Sequence, residues 1–78
     1  MIHELKLRKE FFDYVRLGIK KFEIRKDDRG FNVGDTLVLK EIDEAGGETG
    51  RYLVRQVDYI YRGEYCLPGY CVMSISAL

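Results

Sequence analysis

The sequence is short of the residues that build metal centres and of those that interrupt strands and helices: one histidine, two cysteines and one proline. A structural zinc site takes four nitrogen or sulfur ligands. His3, Cys66 and Cys71 fall short of that, so no metal or other cofactor is expected. In a reducing compartment the two cysteines stay thiols, and packing as small apolar groups is their ordinary role. Long apolar runs are missing too. The opening MIHELKLRKE mixes charged with apolar residues and lacks the hydrophobic segment of a secretory leader. No stretch approaches the roughly 20 apolar residues that cross a bilayer, so no membrane partner is expected and cytoplasm is the default location. Net charge is also absent, with thirteen basic residues against thirteen acidic. This argues against a protein that coats nucleic acid through bulk charge, and it leaves room for a local basic patch.

What is present fits one small globular domain over residues 1–78. Hydrophobic residues make up 46% and charged residues 33%, ordinary values for a chain that folds. Six tyrosines and four phenylalanines are expected to supply much of a compact core, each burying on the order of 150–250 Å². Charge is unevenly spread. Lysines and arginines crowd the first 29 residues, whereas Asp35–Glu48 holds one lysine and five acids.

Hydrophobic periodicity gives the order of elements. His3–Leu7 alternates and reads as a short strand with Leu5 and Leu7 inward, leaving His3 as a surface strand residue. From Arg8 to Leu17, Phe11, Phe12, Tyr14 and Val15 recur at helical spacing. Gly18 stands where a left-handed cap ends a helix, and no capping side chain marks its start. Lys21–Arg25 alternates again, with Phe22 and Ile24 on one face and Lys21, Glu23 and Arg25 on the other. Two turns follow, the second holding Gly34-Asp35. Strands are expected at Thr36–Ile42, Arg51–Arg62 and Tyr70–Ile75, the first two joined by a glycine-rich hairpin loop. The class is therefore α+β, mainly β: a small, partly closed barrel of five or six strands with one helix after the first strand.

The segment Lys20–Arg29 concentrates the chemistry. Residues two apart on a strand share a face, so Lys21, Glu23 and Arg25 can converge on one patch, with Lys20 at the strand entrance. Arginine and lysine bind phosphate, and a carboxylate beside an amine can move protons. Periodicity alone reads the same charges as the solvated face of a half-buried sheet, paired weakly.

The ordered set Gly18-x-Lys20-x-x-Glu23-x-Arg25, then Asp28-Arg29, then Phe31-x-Val33-Gly34-Asp35 ahead of a hydrophobic strand, resembles the ASCH domain group of the PUA-like superfamily. It is most similar to the DUF3850-type branch, which carries an Asp-Arg between the two motifs. The likeness covers nearly the whole chain. It implies a PUA-like barrel, an association with RNA or nucleotides, and a cleft between helix and barrel lined by Gly18, Lys20, Glu23 and Arg25. Some relatives in the superfamily are amidohydrolases acting on acetylated cytidine, with a lysine at the position of Lys20 and a threonine nucleophile on the following strand. Here that strand offers Lys21 and Glu23 instead, and the two threonines, Thr36 and Thr49, lie outside the motif.

Three functions remain open on the sequence. The first is an RNA- or nucleotide-binding domain using Lys20, Lys21, Glu23, Arg25 and Arg29. The second is a small amidohydrolase on an acylated nucleoside, with Lys20 and Glu23 as its catalytic candidates. The third is a protein-interaction module working through Tyr59–Tyr70. Tyr59, Tyr61, Tyr65 and Tyr70 can stack bases or pack. Arg29 can reach phosphate or pair with Asp27. Glu64 is a second carboxylate candidate, and Asp35 is read as fixing a turn through backbone hydrogen bonds.

Overall fold

Ile2–Arg8 alternates exposed and buried side chains along its whole length, as a strand with one face on a core must; it forms β1. The computed structural model describes residues 1–78. After β1 come α1 (Lys9–Arg16), β2 (Phe22–Lys26), β3 (Thr36–Ile42), β4 (Glu48–Tyr61) and β5 (Tyr70–Ala77). The five strands make one sheet in the order β1-β3-β4-β5-β2. β1 runs parallel to β3, and the remaining pairs are antiparallel.

The sheet curls into a half-barrel. Register shifts between Lys40 and Ile42 of β3, and between Val57 and Tyr59 of β4, mark bulges that increase local twist and bend a strand. The 14-residue β4 can thus serve both β3 and β5 around the curve. Its two edge strands, β1 and β2, share no backbone ladder. They are instead bridged by side chains: the Arg25 guanidinium donates to the Lys6 carbonyl at 2.9 Å, and that of Arg29 donates to the Glu4 carbonyl at 2.9 Å.

Leu5 and Leu7 point inward as the alternation predicts. They join Phe31, Leu37, Leu39, Val57, Met73 and Ile75 in the core, with Phe12 and Val15 contributed by the helix. Phe11 and Tyr14, expected on the same helix face, remain 41% and 54% exposed. At 3.6 residues per turn the stripe centred on Phe12 and Val15 leaves Phe11 on its flank and carries Tyr14 round towards solvent. The helix ends as the sequence indicates. Gly18 takes φ 75°, its N–H donates to the Val15 carbonyl at 3.0 Å, and the Ile19 N–H donates to that of Tyr14 at 2.9 Å, which is a left-handed glycine cap.

His3 is a correction: it is buried rather than on the surface. It shares the parity of Leu5 and Leu7, so the same alternation that buries them buries it. It is accommodated because Asp35 meets it, with His3 Nε2 2.8 Å from Asp35 Oδ2. The ring edge also packs on Phe31, with centroids 4.7 Å apart. Asp35 fixes its turn as expected, accepting from the Asn32 N–H at 2.9 Å. The His3 contact and that backbone donor hold the Asp35 carboxyl down at about 2, against an ordinary 3.8.

A depressed folded-state value means that the unfolded chain binds the proton first as pH falls. The stability Asp35 contributes is therefore complete above about pH 4 and is lost as pH falls towards about 2. Urea unfolding across this range should show Asp35→Asn less stable by about 1–3 kcal/mol at neutral pH, with the difference shrinking in acid. A constant difference down to the acid limit contradicts the assignment.

Candidate functional site

The glycine cap that ends α1 turns the chain straight into β2, and this places Lys20 at the mouth of the half-barrel. The facing of β2 then follows from its ladder with β5. Glu23 lies opposite Met73 and Arg25 opposite Cys71, and both partners are core residues. Glu23 and Arg25 therefore point inward. Phe22 and Ile24, opposite Ser74 and Val72, point outward and are 43% and 58% exposed. The expected arrangement of a solvated charged face over a buried apolar one is inverted on this strand.

An inward carboxylate needs partners, because an unpaired buried charge costs several kcal/mol. Glu23 has two. Lys20 Nζ donates to Oε1 at 2.8 Å and Arg25 Nε donates to Oε2 at 3.0 Å. The Glu23 side chain is 2% exposed, whereas those of Lys20 and Arg25 are 18% and 23% exposed. The carboxylate is thus the floor of the cluster, and the cations keep their outer surfaces towards solvent. Lys20 Nζ also donates to the Phe22 carbonyl at 2.7 Å, and sits over the Phe22 ring at 4.8 Å and the Phe11 ring at 5.7 Å.

Around this cluster lies a cleft of about 410 Å³ between α1, β1 and β2. Lys6, Arg8, Lys20 and Arg25 supply its charge, and Leu7, Phe11, Phe22 and Ile24 its apolar walls. Lys6 makes no ion pair, and Arg8 has one carboxylate within ion-pair distance, Glu10 at 3.9 Å. The cleft occupies the seam where the two sheet edges approach without pairing.

Of the residues singled out in the sequence, Lys20, Glu23 and Arg25 come together. Lys21 is exposed and does not line the cleft. Arg29 lies further along the seam on the Glu4 carbonyl. Asp27 pairs with Arg62 rather than Arg29, and Arg62 also donates to the Phe31 carbonyl at 2.9 Å. That guanidinium lowers the Asp27 carboxyl below its ordinary value. Glu64 is an exposed loop residue outside the cleft. Cys66 is partly buried; Cys71 is buried, and desolvation raises its thiol above the ordinary value. Lys6, Leu7, Arg8, Phe11, Phe22 and Ile24 are the lining residues that sequence reasoning missed. Alternation does set Lys6 and Arg8 opposite Leu5 and Leu7, but only the curl of the sheet brings them to β2.

The clamp yields a stability prediction. Glu23→Ala should cost about 3 kcal/mol in urea unfolding, because it strands two partly buried cations. Glu23→Gln should also destabilise, since its amide must present N–H groups to one of them. Lys20→Met should cost less, because Arg25 still pairs with the carboxylate. Equal stability of Glu23→Ala and wild type contradicts the clamp.

No helix is long and apolar enough to cross a membrane. Among known proteins, the chain is 52% identical over 40 residues to an uncharacterized 12.9 kDa protein from the GpA 3′ region of Escherichia phage P2. That match takes in 51% of this chain and 37% of the phage protein, so the chain spans well under half of that relative. The family described as a domain of unknown function, DUF3850, matches residues 2–75. With nearly its whole length matched, sheet, helix and cleft included, the chain belongs to the DUF3850 family.

Proposed function

We propose that the cleft binds a nucleotide unit, as part of RNA or free, with its phosphate on Arg25, Lys20, Lys6 and Arg8 and its base against Phe11 or Phe22. The observation that carries this reading is the balance of groups at the seam. Four cations face one carboxylate there, and that carboxylate is already bound by two of them. Such a site is matched to an anion, and flat aromatic walls suit a base. A volume of about 410 Å³ lies within the range of small-ligand clefts. The reading also agrees with the ASCH and PUA-like resemblance of the Gly18–Arg25 motif, and it gives Glu23 the role of positioning Lys20 and Arg25.

The hydrolase alternative finds less support. No serine, threonine or cysteine lines the cleft. Thr49 is engaged elsewhere, donating from Oγ1 to Glu41 at 2.7 Å. Both oxygens of Glu23 already accept charged hydrogen bonds, which leaves it a poor general base.

Titration with short single-stranded RNA at low salt should shift the amide signals of β1, β2 and Lys20, with affinity in the micromolar range or weaker. Affinity should fall as salt rises, and Lys6→Ala or Arg8→Ala should reduce the slope of log K against log salt by about 0.7 for each phosphate no longer neutralised. RNA that leaves the signals from Lys20 to Arg25 unmoved at low salt would exclude this function.

A further inference from the structure

The sheet carries a second apolar surface that the core does not use. Its outward positions on three neighbouring strands fall into rows. Phe22, Ser74 and Tyr59 form one, Ile24, Val72 and Tyr61 the next, and Lys26 with Tyr70 lies beyond them. Tyr59 is 62% exposed and Ile24 58%. The Tyr61 ring is also stacked by Tyr65 from the following loop, with centroids 6.4 Å apart. A sheet face turned to water ordinarily carries polar side chains. A contiguous apolar one marks an interaction surface.

We propose that this outer face of β2, β5 and β4 is a stacking track for the bases of a single-stranded nucleic acid that leads out of the cleft. The inference rests on the nucleotide reading of the cleft and extends it from one nucleotide to a strand. Two observations favour this occupant. The first is continuity. Phe22 and Ile24 line the cleft and also begin both rows of the outer face. A strand whose phosphate sits among the cleft cations can thus cross the β2 edge directly onto Tyr59 and Tyr61. The second is charge. No carboxylate occupies any position of the three rows, and Lys26, at the end of the face, makes no ion pair. Asp58, at the β4 bulge, and Glu64, next to Tyr65, are acidic residues beside it. Neighbouring strands lie about 4.8 Å apart, so Phe22 and Tyr59 are separated by roughly 10 Å. That is room for the two or three bases that sheet aromatics stack in other single-strand readers. The small Ser74 between them leaves both rings accessible from above.

The test compares 5′-mononucleotides with a short single-stranded RNA of randomised sequence, measured against wild type, Tyr59→Ala, Tyr61→Ala and Tyr59→Leu. The RNA should bind about tenfold or more tightly than the mononucleotides, since each stacked base adds affinity. Each tyrosine substitution should cost RNA affinity about fivefold or more and leave mononucleotide affinity unchanged. Tyr59→Leu keeps the apolar character of the position, so weaker RNA binding by that variant would report stacking rather than folding. RNA that binds no more tightly than mononucleotides, or that is indifferent to Tyr59→Ala, overturns the track and leaves the cleft standing. Failure of the mononucleotides and the RNA alike removes the cleft reading and the track with it. Self-association in sedimentation that Tyr59→Ala abolishes, with RNA affinity unchanged, overturns the track in favour of a second copy of the chain.

Discussion

A carboxylate that the fold turns inward has to be neutralised where it stands, and the Lys20–Glu23–Arg25 clamp does this at the open end of the half-barrel. β2 pairs with β5 in a register that sets Glu23 opposite Met73. Without its two cations the strand would carry a bare charge into the rim of the core, at a cost of several kcal/mol. With them, the charge becomes a fixed point. It sets the positions of Lys20 and Arg25, and Arg25 in turn reaches across to the carbonyl of Lys6. The clamp thus joins the end of the helix to β2, and β2 to β1.

That last contact bears on how so small a sheet closes. Exposed sheet edges invite pairing with other chains, and here β1 and β2 are both edges. Arg25 of β2 and Arg29 of the segment that follows it cap carbonyls of β1, so the seam is bridged by guanidinium groups without strand pairing. A ladder would bring the edges to about 4.8 Å and leave no space. Side-chain bridges hold them further apart, and the cleft lies in the gap. Architecture and candidate site meet at Arg25, which both bridges the seam to the Lys6 carbonyl and lines the cleft.

The order and type of the elements were legible in the sequence because alternation and helical spacing are local signals. Strand–helix–four strands, the Gly18 cap and the Asp35 turn all follow from them. The facing of β2 was not. Its pattern of apolar and charged residues is symmetric to inspection, and only pairing with β5 decides which set points inward. His3 illustrates the same limit: parity placed it with Leu5 and Leu7, but its burial depends on Asp35, thirty-two residues away in sequence. The centre of the site was legible as Lys20, Glu23 and Arg25, since three residues within one turn and strand need no long-range information to meet. Lys6, Arg8, Phe11 and the outward role of Phe22 were hidden, because they join the site only through the curl of the sheet and the docking of the helix.

The central claim is that Glu23 holds Lys20 and Arg25 ready for an anion at the seam. The most direct measurement follows the Lys20 Nζ and Arg25 Nε resonances of the wild-type protein while a nucleoside monophosphate, and separately the nucleoside without phosphate, is added. The account predicts that the monophosphate shifts both resonances in a saturable way at low salt, and that the nucleoside alone moves them much less. Equal response to the two ligands, or shifts confined to residues away from the seam, would contradict it.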